Sequence, residues 1–238
     1  MLTSKLQKFK KELNKLADKK QAAILQRFFK TKKGEYGAGD VFLGIMVPKQ
    51  RLLARNYLDL SLAELQTLLN NKIHEYRLIA LIILTQQFAK ADLITKKKIF
   101  NFYLKNFNHI NNWDLVDLSA PNIIGNYLLP EPRDVLYDFA QSNNLWKKRI
   151  AIISTFSFIR QNQFSDTIKI AKILLLDRHD LIQKAVGWML REMGKRDEKL
   201  LRHFLDKNAK IMPRTMLRYA IEKLPEKDRQ YYLYKKRP

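Results

Sequence analysis

The chain contains no cysteine. That excludes a disulfide framework, a thiolate zinc site and a cysteine nucleophile. Seven glycines and seven prolines in 238 residues are under half the usual combined frequency of about 12%. Collagen-like, linker-like and turn-rich β-sandwich folds are poor matches to so little of either residue. The longest apolar run, Leu78 to Leu84, falls well short of the roughly 20 residues that cross a bilayer. The opening MLTSKLQKFKKELNKL lacks an apolar h-region, so no secretory signal is expected. Acidic residues are scarce as well: 23 Asp+Glu stand against 45 Lys+Arg, a formal charge of +22. A hydrophobic share of 46% is enough to fill a core. The expectation is one soluble, basic domain over residues 1–238, cytoplasmic (nucleoid-associated in a prokaryote) and monomeric, with no metal and no cofactor.

A surplus of this size points to a polyanionic partner. Nucleic acid is the common one, because Lys and Arg release counterions on meeting phosphates. An anionic membrane surface, an RNA duplex or a simple solubility surplus would look alike on charge alone. Residues 1–33 carry 11 Lys+Arg against two acids, and residues 196–238 carry 13 against six. The excess is therefore not a single basic tail.

Nearly every segment reads as amphipathic helix. Leu2, Leu6, Phe9, Leu13 and Leu16 recur at three- and four-residue spacing. Ser61 with Glu64 forms the pattern of a capping box. No strict alternation long enough for a strand is present. Four of the seven glycines, Gly34, Gly37, Gly39 and Gly44, crowd into KGEYGAGDVFLGIMVP. This loop lacks the Gly-Lys-Ser/Thr ending of a phosphate-binding loop, so it reads as a flexible connector before a helix whose first turn holds Pro48. Pro130, Pro132, Pro213 and Pro225 mark further breaks.

A faint repeat runs through the chain. Tyr76-Arg77-Leu78-Ile79-Ala80 resembles Lys148-Arg149-Ile150-Ala151-Ile152, and Gln183-Lys184-Ala185-Val186-Gly187 resembles Leu217-Arg218-Tyr219-Ala220-Ile221. Asp117 falls in the gap. A period near 35 with two helices per unit predicts an all-α fold, an α-solenoid of HEAT-like repeats forming a curved concave body. In that register Arg77, Asp117, Arg149, Lys184 and Arg218 take equivalent places along the inner helices. Four cations suit a phosphate backbone, and the one anion among them is where chemistry is expected.

Trp113 and Asp117 are four residues apart in NNWDLVDLSAP, so on a helix they share a face. Asp114 lies three residues before Asp117. Trp146 precedes Arg149 by three, and Trp188 follows Lys184 by four and precedes Arg191 by three. Tryptophan also fills cores, and an Asp117–Arg149 bridge would serve structure alone. A tryptophan face, however, attracts cations and stacks on sugars or bases, for about 0.5–2 kcal/mol. A carboxylate beside it can stabilise an oxocarbenium-like sugar and orient a water. That combination suits cleavage of an N-glycosidic bond whose leaving base is already cationic, since such a base needs no general acid. The four histidines show no metal spacing, and no Gly-x-Ser-x-Gly elbow is present.

Several stretches resemble the DNA alkylation repair glycosylase family of the AlkD type. They are Phe28-Phe29-Lys30, Lys33 to Asp40, Phe42 to Pro48, Asn111 to Asp117, Leu145 to Arg149 and Gln183 to Glu192. The resemblance implies a HEAT-like repeat fold cradling duplex DNA, and excision of N3- and N7-alkylated purines to leave an abasic site, the first step of base excision repair. By motif match it implies Asp117 as the catalytic aspartate, Trp113 and Trp188 as paired aromatic residues, and Arg149 as an arginine near the lesion backbone. It further implies action on a base still stacked in the duplex. Arg77, Lys148, Lys184, Arg191 and Arg218 are the expected DNA-binding cations. A non-catalytic solenoid binding DNA or protein shares the charge and the repeats. The tail from Tyr231 to Pro238 matches no known motif.

Overall fold

The computed structural model describes residues 4–234, so Leu2 and the tail residues 235–238 lie outside the described residues. Among those described there are fourteen α-helices and no strand; one isolated bridge pairs Val41 with Ile73. The chain divides into two compact units, Met1–Ser119 and Ala120–Pro238.

The first unit holds α1 (Lys5–Lys15), α2 (Lys19–Phe28), α3 (Val47–Ala54), α4 (Leu62–Leu69), α5 (His74–Lys90), α6 (Leu93–Lys105) and most of α7 (Trp113–Ala120). Five of these starts have a local cause. Ser4 and Ser61 build capping boxes with Gln7 and Glu64, Asp18 and Asp92 accept backbone N–H groups, and Pro48 occupies the first turn of α3. The amphipathic reading of α1 holds for Phe9 and Leu13, which are fully buried, whereas Leu16 caps the helix and is exposed. The core of this unit is α5, buried from His74 to Leu84. Its apolar stretch is therefore a packed helix, covered on several sides rather than along one stripe.

The second unit begins with a π-turn (Pro121–Gly125). It continues with α8 (Asp134–Gln141), α9 (Leu145–Arg160), α10 (Ser165–Ile173), α11 (Asp180–Gly194), α12 (Glu198–Asn208), α13 (Arg214–Ile221) and α14 (Glu226–Tyr234). Within it α9 packs on α8, α10 and α11, and α11 on α13. The helices α5, α7, α9, α11 and α13 begin 39, 32, 35 and 34 residues apart. Arg77, Asp117, Arg149, Lys184 and Arg218 fall one on each, as the repeat predicts. The paired-helix architecture is α-solenoid-like.

The contact between α11 and α13 depends on Gly187. A Cβ there would lie 2.5 Å from the Met216 carbonyl oxygen and 2.5 Å from the Tyr219 Cβ. Neither neighbour can swing away, because one is backbone and the other is the first side-chain carbon. Gly187→Ala is therefore expected to separate the helices and lower stability by about 2 kcal/mol, the middle of the overpacking range, as read from the urea midpoint. An unchanged midpoint would show that the two helices can shift at no cost.

Candidate active site

Helix α7 presents Trp113 and Asp117 one turn apart, both half-buried. The start of the helix is tied down by Asn112, which is fully buried. Its Oδ1 accepts the Trp113 N–H at 2.8 Å, and its Nδ2 donates to Asp40 Oδ2 at 3.3 Å. The indole stacks on Phe29, with centroids 5.1 Å apart and planes at 22°, and meets Phe28 edge-on at 5.8 Å. Phe29 in turn stacks on Phe42 at 5.1 Å. Trp113 thus ends a stack of rings, which holds its plane through offset-stacked contacts. Phe28, at the end of α2, is 61% exposed and widens the aromatic surface beside Trp113. The Asp117 charge reaches Tyr103, which is fully buried and shares a 2.9 Å hydrogen bond with Ser119 Oγ. Burial first, and Asp117 in addition, raise the Tyr103 hydroxyl above its usual range. Asp114 does not turn toward Asp117: its Oδ2 lies 2.7 Å from Nε2 of His74.

Behind this surface sits a buried polar cluster from the first turn of α5. His74, Glu75 and Arg77 are all at most 5% exposed. Arg77 was expected to face phosphates; its guanidinium instead pairs with Asp40 Oδ1 at 2.7 Å, and a buried paired cation has no contact to offer a backbone. Asp40 also accepts from Nδ1 of His74 at 3.1 Å. Burial raises the Asp40 carboxyl, but the His74 hydrogen bond and the Arg77 charge outweigh it and hold the group below the usual carboxylate range. Glu75 accepts the N–H groups of Leu43, Gly44 and Ile45 at 2.9, 2.8 and 3.1 Å. Gly44 has φ +85°, and a Cβ on it would sit 2.1 Å from the Asp18 carbonyl oxygen. The glycine-rich segment read as a flexible connector is therefore clamped to α5 at Asp40 and at residues 43–45, and pressed against the start of α2.

The other expected residues belong to the second unit. Arg149 is buried, with Nη1 donating to the Leu181 carbonyl at 2.5 Å. Lys148 pairs with Asp177 at 2.7 Å and Lys184 with Asp180 at 2.6 Å. Trp188 is half-buried, lies 6.0 Å from the Phe156 ring, and its Nε1 donates to Glu192 Oε1 at 3.2 Å. Arg191 pairs with Glu192 and with Glu222. Arg218 is exposed. In this unit Lys148, Lys184 and Arg191 are thus each paired with at least one acid.

Sequence reasoning placed Trp113 and Asp117 on one helix face but did not foresee the buried support for it. His74, Glu75 and Asp40 lie 40, 39 and 74 residues from Asp114 along the chain. The available signal was His74-Glu75-Tyr76-Arg77, three chargeable side chains opening the helix that carries the longest apolar run, Leu78 to Leu84. Charged residues in that position must be paired, since burying a lone charge is costly. Among the described residues no group of three or more His, Asp and Glu side chains is arranged to hold a metal ion. No helix of the described chain is long and apolar enough to cross a membrane.

The fold has a solved counterpart. The structure of a "Predicted DNA alkylation repair enzyme from Enterococcus faecalis" superposes with a TM-score of 0.72, covering 88% of this chain and 97% of that one at 18% identity. No curated protein matches the sequence. The model of the family described as "DNA alkylation repair enzyme" matches residues 9–224, nearly the whole sequence, and the chain belongs to that family.

Proposed function

We propose that the protein is a DNA glycosylase. It hydrolyses the N-glycosidic bond of N3- and N7-alkylated purines in duplex DNA, releases the free base and leaves an abasic site. The family supports the coarser statement, a role in DNA alkylation repair. The observation that carries the finer one is the pairing on α7 of a half-buried carboxylate with a half-exposed indole, in a chain of net charge +22.

In this reading the indole of Trp113 lies along the deoxyribose of the damaged nucleotide, with Phe28 beside it. The purine's positive charge weakens the glycosidic bond. As the bond opens, the ring oxygen and C1′ of the sugar take up positive charge, which the face of Trp113 and the carboxylate of Asp117 stabilise. Asp117 then accepts a proton from the water that attacks C1′. The leaving base departs neutral, so no acid need protonate it. In the second unit Lys184, Arg191 and Arg218 contact phosphates, and Trp188 offers a further aromatic surface to the DNA. Arg149 and Lys148, already held by Leu181 and Asp177, act by fixing the backbone around α9 and α11 and contribute less to the salt dependence of binding.

The test is release of free base. A duplex carrying a single 7-methylguanine, incubated with excess protein, is expected to yield free 7-methylguanine and an alkali-labile strand. A protein that binds this duplex tightly but releases nothing would be a damage binder, and the glycosylase reading would be wrong.

A further inference from the structure

The buried cluster of His74, Asp40, Arg77 and Asp114 behind α7 lies outside the chemistry above, yet its members are tied to one another by hydrogen bonds and ion pairs. His74 is 1% exposed. Its two ring nitrogens face two different carboxylates, Asp40 at 3.1 Å and Asp114 at 2.7 Å. The ring packs against Phe42 at 4.5 Å and Phe29 at 5.2 Å, and Phe29 is the ring on which Trp113 stacks. Asp114 is the residue next to Trp113 and also accepts the Leu115 N–H at 2.8 Å. We propose that His74 is a positioning residue for the excision reaction: by gripping Asp114 it fixes the first turn of α7, and with it the Trp113 ring and the Asp117 carboxylate one turn on. The proposal rests on the glycosylase reading for its kinetic consequence, though not for its structural one.

The chemistry requires the ring to be charged. An ionised carboxylate only accepts hydrogen bonds, so a nitrogen facing each carboxylate must carry a hydrogen, and both do so only in the imidazolium form. Charge counting agrees. The groups facing the ring are Asp40 from the glycine-rich loop, Asp114 from α7 and Arg77 from its own helix. One guanidinium against two carboxylates leaves one uncompensated negative charge unless the imidazole supplies the second cation. Burial opposes that charge and so does Arg77, but the charge and hydrogen bond of Asp114, with the bond to Asp40, outweigh them and lift the ring to about 9. Because this lies above the ordinary value of 6.5, the stabilisation is fully present below that value and is lost as pH rises through about 9. Loss of the proton leaves one carboxylate without its donor and frees the start of α7. A misplacement on the order of 1 Å in such a site costs about 100-fold in rate.

Two variants of the full chain test this, Asp114→Asn and His74→Gln, each compared with the unaltered protein below its melting temperature. Single-turnover release of 7-methylguanine is expected to fall at least 10-fold in both, with affinity for an undamaged duplex within twofold. In the unaltered protein the rate falls as pH rises through about 9. In Asp114→Asn, where the ring has lost its closer anion, that fall moves down by at least one pH unit. A fall caused by alkaline chemistry of the substrate stays in place in both proteins. The second readout needs no activity: the indole N–H resonance of Trp113, assigned with Trp113→Phe, is expected to titrate near pH 9 and to follow the same downward move in Asp114→Asn. Folded variants releasing base within threefold of the unaltered protein, or a Trp113 resonance unmoved between pH 7 and 10, would overturn the positioning role. A titrating indole in a protein that releases no base would sink the glycosylase reading alone.

Discussion

Asp117→Asn is expected to slow single-turnover excision of 7-methylguanine at least 100-fold. Asparagine keeps the volume and the half-buried position of the side chain but removes the charge. The barrier rises because a cationic sugar loses its counter-charge and the attacking water loses its proton acceptor. A 100-fold loss corresponds to about 2.7 kcal/mol, within the range seen when one electrostatic group is removed from an active site. Binding should respond in the opposite sense. The substrate is a polyanion, so deleting a negative charge beside it leaves duplex affinity unchanged or slightly raised at low salt. That split separates catalysis from binding: a residue that only holds DNA would lower affinity and leave the saturated rate intact. Excision within threefold of the unaltered protein, a barrier change of roughly 0.7 kcal/mol, would remove Asp117 from the mechanism.

The second large effect is on stability. Glu75 is fully buried and its two oxygens take three consecutive N–H groups, those of Leu43, Gly44 and Ile45. Glu75→Leu leaves three donors unpaired, those of Gly44 and Ile45 buried and that of Leu43 part-buried, at about 1–3 kcal/mol for each buried one before relaxation. A loss of about 4 kcal/mol is expected, lowering the melting temperature by roughly 10–20 °C for a unit of this size. Glu75→Gln should be milder, about 2 kcal/mol, because the amide oxygen still accepts while the NH₂ group faces an N–H. The order Leu worse than Gln is the informative result. It follows from hydrogen-bond accounting, whereas a site limited by shape alone would make the larger change in outline, not in polarity, the costly one. Melting temperatures of both variants within 3 °C of the unaltered chain would show that the loop satisfies itself.

Much of this architecture was legible from local patterns. Helix starts follow from Ser4, Ser61, Asp18, Asp92 and Pro48, whose effects are confined to one turn. The repeat spacing located five helices, because a packed helical pair recurs at a length set by helix geometry and the turns between. The face shared by Trp113 and Asp117 needed only a 3.6-residue period.

What the sequence determined by itself was therefore everything set within about one helical turn or by regular spacing: the helical class, the caps, the basic balance and the pairing on α7. Tertiary structure alone decided which charges are spent inside. Arg77 takes the same repeat position as Lys184 and Arg218, yet it is buried against Asp40, 37 residues earlier in the chain. His74 acquires its two carboxylates from residues 34 and 40 positions away, and the clamp of Glu75 on the glycine-rich loop spans a similar distance. Whether a cation meets solvent, a phosphate or a buried acid depends on which distant segment folds over it, and no local pattern carries that information.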